Sequence, residues 1–264
     1  MIRKIALKLL KLTAFDFKIS HHYTKHNFFL NSYQHKGYWY YGKKREEESV
    51  KNFMNWINNG DFVLEIGGHI GYFTTLFAKL VGENGKVDVF EPSNKNISYL
   101  SKNIQNLPEK LKKNVSIIEK GAGDTDDTLE FFIDPITGQN NSFVKNFDGF
   151  FNNRKFSAET NVELISEQVL VIKLDSYFLD KSKFPNFVKI DVEGFEWNVI
   201  KGFKNTIELY KPSLMIEIQA DQESIINYFI EINYNIFNDK MHEIKSINDY
   251  NKLKTPNIFF RFDR

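Results

Sequence analysis

The sequence predicts an α/β fold built on one mostly parallel sheet with helices on both faces. Three observations predict it. Short apolar runs alternate with segments of helical spacing from Phe62 onward. The first run, Phe62 to Ile66, ends in Gly67 and Gly68 and passes at once into a helical segment, as in open α/β sheets that bind ligands beyond their strand ends. Finally, 42% hydrophobic residues, with 26 Phe among 264 positions, give the chain enough apolar mass for a sizeable core.

Taken in order, residues 1–45 form a basic, aromatic arm. Ile2, Ile5, Leu9 and Leu12 share one helical face, with Arg3, Lys4, Lys8 and Lys11 elsewhere. Such a helix either rests on an anionic membrane or packs on the core. Lys8 and Lys11 interrupt the apolar centre that a secretory leader needs. His21, His22 and His26 have a spacing that can bind metal, but no carboxylate accompanies them and a surface position is expected. Tyr38-Trp39-Tyr40-Tyr41 is expected to staple the arm to the core, or else to stack on a sugar face.

From residue 46 a single domain is expected to the end of the chain. Glu46 to Asn58 has helical spacing and stops at Asn59-Gly60-Asp61. Strands follow at Phe62–Ile66, Lys86–Phe90, Val115–Glu119, Phe187–Ile190, Leu214–Ile218, Tyr234–Asn238 and Asn257–Phe262. Helices fall at Tyr72–Leu80, Asn94–Leu107, Glu196–Tyr210 and Gln222–Ile232. The rhythm breaks at residues 124–175, where Leu129–Ile133 and Val169–Leu174 predict an antiparallel excursion before the fourth core strand. The polar loop between them, 134–168, has the length of a lid, a substrate wall or a mobile surface loop.

Composition closes several function classes. Thirty-five Lys and Arg against 34 Asp and Glu leave a net charge of +1, so no global field attracts nucleic acid. The chain has no cysteine, which excludes a disulfide scaffold, a thiolate nucleophile and a Cys-ligated zinc site, and a cytoplasmic setting is expected. No apolar run reaches the ~18 residues of a membrane span.

Chemistry concentrates at strand ends. In Leu64-Glu65-Ile66-Gly67-Gly68-His69-Ile70-Gly71-Tyr72-Phe73 the spacing is not the G-x-G-x-x-G of dinucleotide sites, which suits a cofactor without a pyrophosphate. Gly67 lets backbone approach a ligand, and Glu65 can hold an ammonium group such as that of methionine. Twenty-six residues later Glu91 ends the second strand, before Pro92 and Ser93. A carboxylate there can accept from both hydroxyls of a ribose. Gly121 and Ala122 leave room for a flat adenine ring, while Asp124 is expected to start a turn.

With Lys189-Ile190-Asp191-Val192-Glu193-Gly194-Phe195-Glu196, Leu174-Asp175-Ser176-Tyr177 and Met215-Ile216-Glu217-Ile218 added in order, the sequence resembles the FkbM family of methyltransferases from about residue 60 to 220. Glu65, Gly68 and His69 stand where the family usually has Asp, Ala and Asn. The resemblance implies a Rossmann-like fold with strand order 3-2-1-4-5-7-6 over the domain 46–264. It also implies S-adenosylmethionine as cofactor and O-methylation of a sugar, glycan or related natural product. The cofactor is then expected on Glu65, Gly67, Gly68, His69, Gly71, Tyr72, Phe73, Glu91, Pro92, Ser93, Gly121, Ala122 and Asp191.

Asp191, Glu193 and Glu217 are the expected catalytic carboxylates. They can accept a hydroxyl proton or bind sugar hydroxyls, and hydroxyl work is favoured over a divalent cation. Alternatively Asp191 and Glu193 cap the turn after the strand. Lys189 is expected to pair with one of these acids, and His69 to pack near the cofactor or act as a base. Two rival functions remain: a nicotinamide-type oxidoreductase, which the missing glycine fingerprint disfavours, and a methyltransferase-like binding protein without turnover.

Overall fold

The computed structural model describes residues 2–134, 138–150, 164–253 and 255–263. The chain opens with helix α1 (Ile2–Leu12) and an antiparallel hairpin of β1 (Asp16–Ser20) and β2 (Asn27–Asn31). Helices α2 (Lys36–Tyr41) and α3 (Glu47–Trp56) follow. The alternation begins with β3 (Phe62–Ile66), α4 (Tyr72–Val81), β4 (Lys86–Phe90), α5 (Asn94–Gln105), the short α6 (Glu109–Lys112) and β5 (Val115–Ile118). A second sheet comes from β6 (Gly121–Ala122), β7 (Asp127–Ile133) and β8 (Ile165–Ile172). The remainder is α7 (Leu174–Phe178), β9 (Phe187–Ile190), α8 (Glu196–Lys201), α9 (Lys204–Tyr210), β10 (Ser213–Glu217), α10 (Gln222–Glu231), β11 (Asn235–Asn238), α11 (Ile247–Leu253) and β12 (Asn257–Arg261).

The main sheet has seven strands in the order β11-β12-β10-β9-β3-β4-β5. Numbered along the chain from the β5 edge, that is 3-2-1-4-5-7-6. Strands β5, β4, β3, β9 and β10 pair in parallel, and β12 runs antiparallel to both β10 and β11. All of β3 and β9 is buried, as parallel strands covered on both faces must be. This is a Rossmann-like methyltransferase fold.

Period-two alternation sends the two halves of each strand to different cores. Leu64, Ile66, Val188, Ile190, Leu214 and Ile216 pack under α8 to α10, with Val199, Ile207 and Phe229. Val63, Val87, Val89, Phe187 and Met215 pack on the other face under α3 to α5, with Phe53, Phe77 and Leu100. Phe28 and Leu30 of the hairpin and Tyr38 of α2 join that second core. Asn103 of α5 ties the hairpin down by accepting from Phe29 N–H at 2.6 Å and donating to Phe29 O and Ile70 O.

Several boundaries differ from expectation for local reasons. The helix expected at Glu196–Tyr210 is two helices, split after Lys201. Asp175 is the cause: its N–H donates to Gly202 O, and its carboxylate accepts from Asn205 N, Thr206 N and Thr206 Oγ1. It thereby satisfies the free N–H groups at the start of a new helix. Strand β8 spans Ile165–Ile172, earlier than the expected Val169–Leu174, because Leu174 already begins α7. Of the polar loop expected over 134–168, residues 135–137 and 151–163 lie outside the described residues. The β1–β2 hairpin, α2, α6 and α11 carried no clear periodic signal in the sequence.

His21 is buried, against the expected surface position: a ring nitrogen meets Tyr72 O at 3.0 Å. Burial lowers its pKa to about 4, so it packs as a neutral ring. Trp197 is only half-buried, with the Lys204 ammonium 5.1 Å over its ring. Among the described residues no helix is long and apolar enough to cross a membrane.

Candidate active site

Five parallel strands deliver their carboxyl ends to one edge of the sheet, and the tips of β3, β4 and β9 are stitched together there. Gly67 N–H and Gly68 N–H both donate to Phe90 O, at 3.0 and 3.1 Å, and Asp191 N–H donates to Ile66 O at 3.0 Å. Gly67 has φ +88°, and a Cβ built on it would overlap the Asp191 carbonyl. Only glycine fits a crossing this close. Beyond the tips lies a cavity of about 300 Å³.

Acids dominate its lining. Glu46, Glu65, Glu91, Asp191, Glu193 and Glu217 face Arg45, Lys120 and Lys189. Glu65 and Lys189 are Cα partners on adjacent parallel strands, so their side chains leave the sheet on the same face. Each is 1% exposed. The Lys189 ammonium donates to Asp191 Oδ2 at 2.9 Å. Burial works against that charge, but Asp191 and then Glu65 outweigh it and hold the lysine above its ordinary range. Glu65 accepts from Thr74 Oγ1 at 2.6 Å, and burial raises its pKa to about 7.

Glu91 is 4% exposed and accepts three protein hydrogen bonds. His69 N–H reaches Oε2 at 2.7 Å; Ser93 N–H and Asn96 Nδ2 reach Oε1 at 3.0 and 3.2 Å. Burial nevertheless raises its pKa to about 7. A carboxylate can accept about four hydrogen bonds, so Oε2 keeps room for a further donor. The His69 ring meets the Tyr38 hydroxyl at 3.1 Å through Nδ1, and burial holds it well below its ordinary pKa. A ring so hard to protonate is a poor base.

At the opposite end, Gln219 Nε2 donates to both Glu193 Oε2 (2.7 Å) and Glu217 Oε1 (3.2 Å). Both acids are raised well above the usual carboxylate range. For Glu193 the main cause is burial, followed by the charge of Asp191. For Glu217 the Asp191 charge comes first, then burial. The capping role falls to Glu196, whose Oε1 accepts from Gly194 N–H at 2.7 Å, and not to Glu193. Glu193 has φ +54°, which turns its side chain toward Gln219.

Two outlying segments close the walls. Residues 138–143 fold back onto β7 through the Phe132–Ser142 bridge, and Ser142 Oγ donates to Glu193 O at 2.6 Å. Phe143 packs on Phe131 and Phe195 and lies against Gly121, so the Gly121-Ala122 end is walled by aromatic rings. From the arm, Tyr38 and Arg45 line the cavity, followed by Glu46, and Gln139 Nε2 donates to Gln34 O of the arm.

Of the residues expected on the cofactor, Glu65, Gly67, Gly68, His69, Tyr72, Phe73, Glu91, Pro92, Gly121, Ala122 and Asp191 line this one cavity, as do the expected catalytic Glu193 and Glu217. Gly71 and Ser93 do not. Gly71 starts α4 against Leu100, and Ser93 caps α5. Asp124 bonds Asn198 and Lys201 instead of lining the cavity. Residues 138–143 belong to the loop expected as a lid, a wall or a surface loop, and they form a wall; sequence reasoning missed Arg45, Glu46, Asn96 and Gln219. Gln219 had a signal, being two residues beyond Glu217 and so on the same face. Arg45 and Glu46, in a charged turn before the first core strand, had none.

Residues 65–245 match the family described as the methyltransferase FkbM domain. No curated protein matches the chain. Among solved structures, an FkbM methyltransferase from Methylobacillus flagellatus KT aligns at 17% identity and TM-score 0.48, over 76% of this chain and 43% of that one. This chain thus spans less than half of that protein's length. A putative rRNA methylase from Clostridium thermocellum aligns at 15% identity and TM-score 0.46, over 81% and 92%. A SAM-dependent O-methyltransferase from Thermotoga maritima aligns at 12% identity and TM-score 0.44, over 83% and 66%.

Proposed function

Because the chain belongs to the FkbM methyltransferase family and uses S-adenosylmethionine as its cofactor, we propose that it methylates a hydroxyl oxygen of a sugar, glycan or related natural product. The cofactor fits the cavity by charge. It brings an ammonium and a sulfonium to a lining that holds more carboxylates than cations. In this reading Glu65 and Asp191 take the ammonium end, Glu91 takes the ribose hydroxyls, and Gly121 and Ala122 with Phe143 take the adenine. When bound, S-adenosylmethionine supplies a methyl group already activated by its sulfonium.

What remains for the protein is alignment of the acceptor and removal of one proton. The observation that carries the hydroxyl reading is the carboxylate group Asp191, Glu193 and Glu217, two of them bridged by Gln219, in the same cavity as Glu65 and Glu91. Glu193 and Glu217, raised above the usual carboxylate range, are better matched to accepting a hydroxyl proton than ordinary acids. They also hydrogen-bond neighbouring hydroxyls of a sugar, with Gln219 as a donor.

The test is transfer of isotopically labelled methyl from S-adenosylmethionine to extracted glycans and small polyols, with amines in parallel. Base-stable methyl ether products support the proposal. Label appearing only on amines, or as base-labile esters, overturns it. For the arm we propose contact with an anionic membrane surface, since Leu9, Leu12 and Phe15 are exposed beside Lys8 and Lys11. Co-sedimentation with phosphatidylserine vesicles but not with phosphatidylcholine vesicles is the expected result.

A further inference from the structure

The turn joining α2 to α3 brings two polar atoms into the cavity wall that are buried and have no hydrogen-bond partner among the described residues: Arg45 Nε and Glu46 Oε2. Buried polar atoms are almost always satisfied, so an orphaned pair facing a cavity points to a ligand. The turn is built to hold them there. Glu46 sits at φ +54°, a conformation that costs a non-glycine residue energy. The Arg45 guanidinium lies 4.5 Å over the ring of Tyr38, which is itself buried and bonded to His69.

The charges say which ligand group belongs there. Lys189 is already engaged by Asp191 at 2.9 Å. Arg45 stands 3.5 Å from Glu46 Oε1 without forming a hydrogen bond. Its Nε, ion-paired with Glu46 but without a hydrogen bond, still lacks an acceptor, and a planar fork of this kind matches a carboxylate through two parallel bonds. The acids Glu46, Glu217 and Asp191 act on Arg45, and none of them can serve as a carboxylate receptor.

We propose that Arg45 is the carboxylate receptor of the cavity and takes the methionine carboxylate of S-adenosylmethionine, which makes the N-terminal arm part of the cofactor site. The proposal rests on the cofactor reading above. Arg45 precedes the family match, which begins at residue 65, so the receptor belongs to this chain's own arm. An acidic acceptor could bring the same carboxylate chemistry, and the experiment separates the two sources.

The experiment is calorimetric titration of the full chain and of Arg45→Met with S-adenosylhomocysteine and with its decarboxylated analogue, 5′-deoxy-5′-(3-aminopropylthio)adenosine. The wild type should prefer S-adenosylhomocysteine by about 10- to 100-fold, the range of a bidentate charge-assisted pair. In Arg45→Met that preference should collapse, with the decarboxylated ligand bound as in the wild type. Arg45→Lys, which keeps the charge but not the fork, should retain part of the preference and covers the case in which the Met variant does not fold. Equal weakening of both ligands would reduce Arg45 to a structural residue and overturn the proposal. Unchanged S-adenosylhomocysteine affinity would also overturn it; uptake of glucuronate by the loaded wild type but not by the variant would then move the carboxylate to the acceptor. A wild type that binds S-adenosylhomocysteine no more tightly than Arg45→Met does defeats only this inference, whereas a wild type that binds neither ligand defeats the cofactor reading itself.

Discussion

Replacing Gly67 by Ala tests the stitched strand tips directly. The new Cβ would overlap the Asp191 carbonyl oxygen and lie 3.0 Å from its carbon. Restoring ordinary contact near ~3.5 Å requires the tips of β3 and β9 to part by roughly 1 Å or more. That movement breaks the Asp191 N–H to Ile66 O bond, worth about 1 kcal/mol net. Overpacking adds about 1–3 kcal/mol. Holding alanine at φ +88° adds about 1–2 kcal/mol. The sum is roughly 3–6 kcal/mol, or a fall in Tm of at least about 6 °C for a domain of this size. Gly60→Ala is the control, because Gly60 has φ +91° with nothing within 4 Å of the new Cβ. It meets only the conformational cost, about 1–2 kcal/mol. The assay is differential scanning calorimetry of both variants with and without S-adenosylhomocysteine. Gly67→Ala should melt well below Gly60→Ala and lose its ligand-induced shift. Melting of the two variants within about 2 °C of each other would refute the steric argument.

Glu91→Gln puts an amide N–H₂ among the three donors that now point at the carboxylate. S-adenosylhomocysteine affinity, measured by calorimetry, should fall about 10- to 100-fold, the equivalent of ~1–3 kcal/mol for an unsatisfied buried group. Asp191→Asn should lower turnover more than cofactor affinity, read as labelled methyl transfer beside calorimetric binding; unchanged turnover removes Asp191 from the mechanism. The pH dependence follows from Glu65 and Glu91, both raised to about 7 in the fold. Between the ordinary value near ~4.5 and 7, the folded protein holds protons the unfolded chain has lost, so stability falls as pH rises through that window. Buried neutral His21 and His69 pull stability the opposite way, so the readout is the Tm of the ligand-free wild type minus that of Glu65→Gln, which should fall from pH 5.5 to pH 8; a difference that stays constant would mean Glu65 is ionised in the fold throughout. Lys189→Met removes the buried cation beside Asp191 and Glu65, at about 3–5 kcal/mol. Its loss in Tm should be larger at pH 8 than at pH 5.5.

The core of the fold was legible because its signals are local. Phe62–Ile66, Lys86–Phe90 and Phe187–Ile190 are read from the sequence to the residue, since each is a short, mostly apolar run with abrupt polar or glycine ends. Strand order came from the family resemblance and not from periodicity. The split after Lys201 was not legible, because the cap that starts the second helix is Asp175, 29 residues from Lys204 in sequence. The site divides in the same way. Acids at strand ends, such as Glu65, Glu91, Asp191 and Glu217, announce themselves by where their strands stop. Tyr38, Arg45 and Glu46 reach the cavity only because the arm folds across α4 and α5, and no spacing within residues 1–45 encodes that contact.

The arm also settles how so acidic a cavity can exist in the fold. Glu46, Glu65, Glu91, Glu193 and Glu217 are pushed up by burial, and Asp191 adds to the rise of Glu65, Glu193 and Glu217. Full ionisation of all of them would leave more buried negative charges than Arg45, Lys120 and Lys189 can balance, a state the low dielectric penalises heavily. Protons therefore stand in for part of the missing positive charge. In the proposed cofactor reading an ammonium or sulfonium entering the cavity displaces those protons, so ligand binding releases protons. In that reading the same acids that cost stability above neutral pH are the ones that favour a cationic ligand, so the site is held at the expense of stability.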